Sequence, residues 1–147
     1  MNLRALQTAD LPAYAALFQC VFAQPPWLET WTREAIGRDV ARAMKRAGFV
    51  GLVAEEGTLS VGYAVGYSVP VLGWFYLEQL FVDDRCRGAG IGRQLMAAMA
   101  GRSPVPIVLL TKPNSPADGF YRANGFVRAL PPLRFRGKIL MRKQSLS

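Results

Sequence analysis

From Thr58 to Leu77 the chain runs twenty residues without a charge, long enough to cross a bilayer as a helix. The pattern inside that run points elsewhere. Val61, Tyr63, Val65, Tyr67 and Val69 alternate with Gly62, Ala64, Gly66 and Ser68. A period of two belongs to a strand, whose successive side chains point to opposite faces, and Pro70 and Gly73 then break the run. The stretch is therefore expected as a long strand from about Thr58 to Val69, with no membrane partner.

The neighbouring segments build a sheet around it. Leu3 to Leu6 reads as a first short strand, and Thr8 as an N-cap for a helix whose stripe is Leu11, Tyr14, Ala15, Leu17, Phe18 and Val21. "AQPPWLETW" interrupts as a loop. Thr32 caps a second helix running to about Ala47, where Gly48 ends it. Phe49 to Ala54 and Trp74 to Val82 read as strands, with a turn at Glu56-Gly57. A helix to about Met99 presents Ile91, Leu95 and Met99 on one face. Val105 to Leu110 is a solid apolar run, hence a buried strand. Ser115 to Ala123 is a helix stopped by Asn124-Gly125, and Phe126 to Ala129 and Lys138 to Met141 are late strands. The order is β-α-α-β-β-β-α-β-α-β-β. The middle hairpins imply antiparallel pairing and the late β-α-β run implies some parallel pairing, so the class is a mixed α/β sheet flanked by helices.

A length of 147 residues suits one domain, 1–147, and leaves no room for two ordinary ones. The chain contains no His, which excludes His general bases, His-based triads and His metal sites, and no metal is expected. Cys20 and Cys86 have no metal-like spacing; two isolated thiols suit a reducing compartment. The N-terminus lacks the charged start, apolar run and small-residue cleavage site of a signal peptide, so a cytoplasmic protein is expected. The net charge of +8 favours an anionic partner: nucleic acid, anionic membrane or a phosphorylated cofactor.

"FVDDRCRGAGIGRQLM" narrows that choice. It is a strand, a short loop and a helix start. Glycine lets a backbone approach a ligand closely. The first-turn N–H groups of a helix have no internal partner, and the helix dipole favours an anion there. Arg85, Arg87 and Arg93 add charge. The stretch reads as a pyrophosphate cradle. Gly88, Gly90 and Gly92 give G-x-G-x-G, which is neither the Rossmann G-x-G-x-x-G nor a P-loop.

Arg87-Gly88-Ala89-Gly90-Ile91-Gly92 matches R-x-x-G-x-G, and so resembles the acetyl-CoA pyrophosphate motif of the GNAT superfamily of N-acetyltransferases. The preceding "LEQLFVDD" resembles that family's fourth strand. Downstream, "NSPADGFYRANGF" is similar to the family's N-x-x-A-x-x-F-Y-x-x-x-G-F segment, with Asn114, Ala117, Phe120, Tyr121, Gly125 and Phe126 in place. The two motifs stand in order, and the element order agrees over nearly the whole chain.

The resemblance implies a GNAT-like, mostly antiparallel sheet and a bound acetyl-CoA (coenzyme A). Its pyrophosphate would sit on the amides of Arg87, Gly88, Ala89, Gly90, Ile91, Gly92 and Arg93. Its pantetheine arm would pair with the backbone of the Leu80-Phe81-Val82 strand, where a bulge supplies unpaired groups. Asn114 and Tyr121 would meet the arm from the other side.

Acetyl transfer sets three demands. The amine must be neutral, yet roughly one in two thousand of a Lys-like amine, pKa ~10.4, is neutral at pH 7. The developing oxyanion needs a donor, and the resemblance points to the Leu80 N–H. The leaving thiolate needs a proton, and Tyr121 matches the family's general acid. Glu78 stands where a carboxylate serves as base in some relatives; the plain alternative is a solvated strand charge or a salt bridge. Cys86, between two Arg, reads as a bystander because the family transfers directly. Asp83 and Asp84 read as loop caps. Trp27 and Trp31 read as core or lid, and "QPPWLETW" borders the acceptor site in that family.

The resemblance leaves the acceptor open between a small-molecule and a protein amine, and leaves open a longer acyl-CoA and a homodimer through the late strands. Two other readings stand beside an N-acetyltransferase. One is a non-catalytic acyl-CoA-binding sensor or regulatory domain, against which Tyr121 and Glu78 argue. The other is a basic nucleic-acid-binding domain, resting on Arg134, Arg136, Lys138, Arg142 and Lys143; a solvated strand face is the commoner explanation, and no RNA-stacking motif accompanies the cluster.

Overall fold

The computed structural model describes residues 1–103 and 105–144. The uncharged run is the strand its alternation predicts. It spans Leu59–Val69 (β3) and lies inside an eight-stranded sheet. The other strands are Asn2–Ala5 (β1), Val50–Glu56 (β2), Trp74–Val82 (β4), Ile107–Thr111 (β5), Phe126–Arg128 (β6), Arg134–Phe135 (β7) and Lys138–Lys143 (β8). Their order across the sheet is β1-β2-β3-β4-β5-β8-β6, with β7 paired to β8. All pairings are antiparallel except β4 with β5. The one parallel pair joins the ends of the predicted β-α-β unit.

Helices Leu11–Phe22 (α1) and Arg33–Met44 (α2) cover one face of the sheet; Ile91–Arg102 (α3) and Pro116–Ala123 (α4) cover the other. Each face carries its own core. Tyr14, Phe18, Ile36 and Val40 pack on Tyr63, Val65 and Phe81. Leu95, Met96 and Met99 pack on Ala64, Leu77 and Leu109. The alternation in β3 now has a reason over its middle: Tyr63 and Val65 meet α1 and α2, and Ala64, with Val61, lies under α3. A Cβ on Gly62 would come within 3.2 Å of Leu95 and 3.3 Å of Ile91, so glycine sets how closely α3 approaches. Among the described residues no helix is long and apolar enough to cross a membrane.

Several boundaries differ from the sequence reading. β1 begins one residue earlier than expected. Thr8 opens a 3-10 turn instead of capping α1, and Asp10 takes that place. The Asp10 carboxylate accepts from Gln7 N (2.7 Å) and is bridged by Arg4 (2.8 and 2.6 Å). Thr32 does cap α2, accepting from Ala35 N at 3.1 Å. The helix stops at Met44 because its end tightens to i→i+3 bonds, Lys45 N to Arg42 O and Arg46 N to Ala43 O. β7 is an addition to the expected order: two residues after a proline pair carry no readable period.

Candidate active site

The site begins where β4 and β5 part. Their parallel pairing consists of Phe75↔Ile107 and Tyr76↔Val108. Upstream, Phe75 N still donates to Pro106 O at 3.0 Å. Past Tyr76 the strands separate. The cause lies on β4's other edge: Val65 pairs with Gln79 and Gly66 with Leu77, so Glu78 is an extra residue, a β-bulge. A bulge bends its strand and increases the local twist. It falls at Glu78, two residues before the position expected from the sequence.

The bulge also sets which backbone groups face the gap. Asp83 N donates to Val61 O of β3 at 2.8 Å. Direction alternates along a strand, so Leu80 and Val82 turn their N–H and C=O toward the parted side, where β5 no longer reaches them. The gap is the floor of a cleft of about 1290 Å³.

Beyond β4 the chain makes a capped turn. The Asp83 carboxylate accepts from Arg85 N (3.0 Å) and pairs with the Arg85 guanidinium (2.8 Å), which holds the carboxyl below its ordinary value. Arg87 pairs with Asp84 at 2.7 Å. Asp83 and Asp84 thus organise the loop, as expected, and take up two of its three arginines. Arg93 makes no ion pair among the described residues. Gly88 (φ +85) and Gly90 (φ +79) adopt left-handed backbone, and a Cβ on either would meet nothing within 4 Å. Gly92 is tight instead: a Cβ there would lie 3.3 Å from Phe120. Gly90 is the N-cap of α3 and offers no side-chain cap, so the first-turn N–H groups face the cleft unshared.

The opposite wall is α4. Ser115 caps it, accepting from Asp118 N at 3.2 Å and donating to Lys112 O at 2.6 Å. Asp118 is buried. Burial raises its carboxyl, but bonds from Asn114 N (2.8 Å) and Arg122 (3.0 Å), with the charge of Arg128, outweigh that and hold it below the ordinary range. This anchor fixes the pitch of α4 and the placement of Tyr121 one turn on. The Tyr121 ring packs edge-on against Phe120 (5.3 Å) and Phe126 (5.6 Å) and lines the cleft. Burial, then Tyr76, push its phenol well above the ordinary tyrosine value.

Glu78 lies on the α1–α2 side of the sheet, within the same cleft. Burial raises its carboxyl; hydrogen bonding from Tyr67 works against this, Asp39 adds to it, and Arg46 opposes. Tyr67 and Tyr76 are cross-strand partners with rings 5.7 Å apart, and the Arg46 guanidinium lies 4.9 Å over the Tyr67 ring. Burial, followed by Tyr67 and Glu78, raises Tyr76 to about 12.

One cleft thus brings together Glu78, Leu80, Phe81, Val82, Tyr121 and the loop from Arg87 to Arg93, apart from Ala89. Ala89 and Asn114 lie off its lining. Asn114 is exposed in left-handed backbone (φ +60), its N–H committed to Asp118. Cys86 lines the cleft as a free thiol. Trp27 and Trp31 line it too, Trp27 edge-on to Phe22 at 5.4 Å and Trp31 edge-on to Phe18 at 5.6 Å. The sequence reading missed Tyr67 and Tyr76 as site residues, because their pairing depends on the register around the bulge. It also missed Phe135 and Gly137, where the β7–β8 turn reaches the cleft. Arg136 and Lys138, read as part of a basic cluster, lie there as well. In β8, exposed Lys138 and Arg142 stand on the face opposite buried Ile139 and Met141, while Lys143 Nζ donates to Asn124 O at 2.7 Å.

A family model described as "Acetyltransferase (GNAT) domain" matches residues 40–128. Among solved structures, the chain resembles PaiA N-acetyltransferase from Thermoplasma acidophilum in complex with coenzyme A, with TM-score 0.74 and 16% identity over 98% of each chain. It also resembles ribosomal-protein-alanine N-acetyltransferase from Brucella melitensis (TM-score 0.75, 23% identity, 97% of this chain and 99% of that one). A third is aminoglycoside 6'-N-acetyltransferase complexed with coenzyme A (TM-score 0.72, 15% identity, 97% and 96%). These likenesses are of fold. Comparison with curated proteins finds no match.

Proposed function

The chain belongs to the GNAT acetyltransferase family, and from that premise we propose that it moves an acetyl group from acetyl-CoA directly to a primary amine. The reading takes residues 1–147 as one domain, since a single sheet carries strands from Asn2 to Lys143.

The observation that carries it is the parting of β4 from β5 beside an uncapped helix start. The residues present fit the cofactor. Leu80 and Val82 offer unpaired backbone along the gap, suited to the amides of a pantetheine arm. The unshared amides at the start of α3, with open space at Gly88 and Gly90, suit a pyrophosphate. Acetyl-CoA, when bound, supplies the acetyl group as an activated thioester.

The chain's own groups then divide the work. The Leu80 N–H, turned into the gap, is a donor for negative charge developing on a carbonyl oxygen. Tyr121 keeps its proton across the working pH range, because burial raises its phenol, and so holds a proton for a departing thiolate. Glu78, its carboxyl raised by burial, is the group suited to take a proton from an ammonium, directly or through water.

The test is thiol release from acetyl-CoA across a panel of amines, with coenzyme A binding measured separately by calorimetry. Amine-dependent release supports a transferase. Tight coenzyme A binding with no release for any amine would leave the sensor reading instead.

A further inference from the structure

The α1–α2 side of the cleft has a chemistry of its own, and from it we propose the acceptor class: a monoamine carried on a flat apolar body, an arylalkylamine. This rests on the transferase reading and names the substrate of the same site.

The walls are aromatic. Phe22, Trp27, Trp31 and Tyr76 line this side, and the Phe22–Trp27 and Phe18–Trp31 pairs stand edge-on at 74° and 85°. Edge-on packing leaves ring faces and edges available to a further ring. The polar groups of Trp31 are occupied within the chain. Trp31 Nε1 donates to Glu29 Oε1 at 2.8 Å, and Trp31 O accepts from Gln19 Nε2 at 2.8 Å.

Negative charge is scarce. The carboxylates lining the cleft are Glu29 and Glu78, among the described residues, and Glu29 is held by Trp31. Glu78, with Tyr67 and Tyr76 beside it, is the carboxylate whose aromatic neighbours suit the same ammonium. The rim carries the opposite sign. Lys112, Arg136 and Lys138 line it, and Lys112 Nζ reaches Pro26 O, at 3.4 Å, in the loop that bears Trp27. A polyamine or an aminoglycoside would bring two or more extra cations to this rim, where Lys112, Arg136 and Lys138 outnumber the one further carboxylate, Glu29. A single ammonium at Glu78 with an apolar body among the rings matches the carboxylate and the aromatic walls and adds no cation at the rim.

The experiment measures kcat/KM by thiol release for 2-phenylethylamine, tryptamine, n-propylamine, spermidine, kanamycin and a dipeptide, at one pH and ionic strength. Both arylalkylamines are expected to exceed each of the others by about tenfold or more. Trp27→Ala is expected to raise KM for 2-phenylethylamine by about tenfold, with kcat changing much less. A polycation or the dipeptide as the best acceptor, propylamine on a par with the aryl compounds, or an unmoved KM in Trp27→Ala would overturn the assignment. Calorimetry with 2-phenylethylamine on the coenzyme A complex separates the two readings. Binding without thiol release from any amine keeps the aromatic acceptor site and overturns the transferase. Thiol release with spermidine and no binding of 2-phenylethylamine does the reverse. Neither binding nor release overturns both.

Discussion

Tyr76 on β4 and Val108 on β5 form the last rung between the two parallel strands. Two residues further along β4 sits the bulge at Glu78, and two beyond that is Leu80, whose backbone faces the gap. The floor of the cleft and a titratable group at it therefore come from one irregularity in one strand.

Tyr121→Phe keeps the ring between Phe120 and Phe126 and deletes the phenol. If the phenol protonates the departing thiolate, the chemical step should slow by about 10²-fold, with acetyl-CoA affinity near wild type. Single-turnover rate and melting temperature are measured together. A full-speed step with a lowered melting temperature would make Tyr121 a packing residue.

Glu78→Gln should remove a titration from the rate profile. The group faces Tyr14 from α1, Asp39 from α2, Arg46 beyond α2, Tyr67 on β3 and Tyr76 on its own strand. With its carboxyl raised, kcat/KM should climb through an acidic limb lying above the usual ~4.3, and Gln should flatten that limb. Stability should move the other way. A carboxyl raised by folding binds its proton more tightly when folded, so stability is lost as pH rises from the ordinary value through the raised one. Glu78→Gln should then melt above wild type at pH 8, the difference shrinking toward pH 4. Equal melting temperatures at pH 8 would show that the buried charge costs nothing.

Gly90→Asp and Gly90→Asn separate charge from shape. Both side chains tolerate left-handed backbone and both can cap α3, while the space at this Cβ is open. If a pyrophosphate sits here, Asp should bind acetyl-CoA about tenfold or more weakly than Asn, by calorimetry. Equal affinities would move the anion elsewhere.

Gly66→Ala tests the sheet next to the bulge. Its Cβ would lie 2.5 Å from the Phe75 ring and 2.7 Å from the Tyr76 carbonyl oxygen, and a backbone atom cannot swing aside. A loss of about 1–3 kcal/mol is expected. That corresponds to about 2–4 °C of melting temperature per kcal/mol for a chain of this size. An unchanged melting temperature would mean that the bulge relaxes freely.

What the sequence determined alone is what neighbours in the chain decide among themselves. The period of Val61 to Val69, the cap at Thr32, and the glycine run at Gly88 and Gly90 follow from side-chain alternation, short-range hydrogen bonds and allowed dihedrals. Each needs only a few adjacent residues, so each was legible. The two motifs were legible for the same reason, and they led to Tyr121 and the loop that share the cleft. Tertiary structure decided the rest. No local signal makes Glu78 the unpaired residue; that depends on β3 pairing Gly66 with Leu77 and Val65 with Gln79. Nor does one bring Tyr67 beside Tyr76 or carry the β7–β8 turn to the rim of the cleft. These are relations between segments far apart in the chain, set by strand register and by the packing of helices on both faces. A shift of one residue in that register would send every side chain of the strand to the other face.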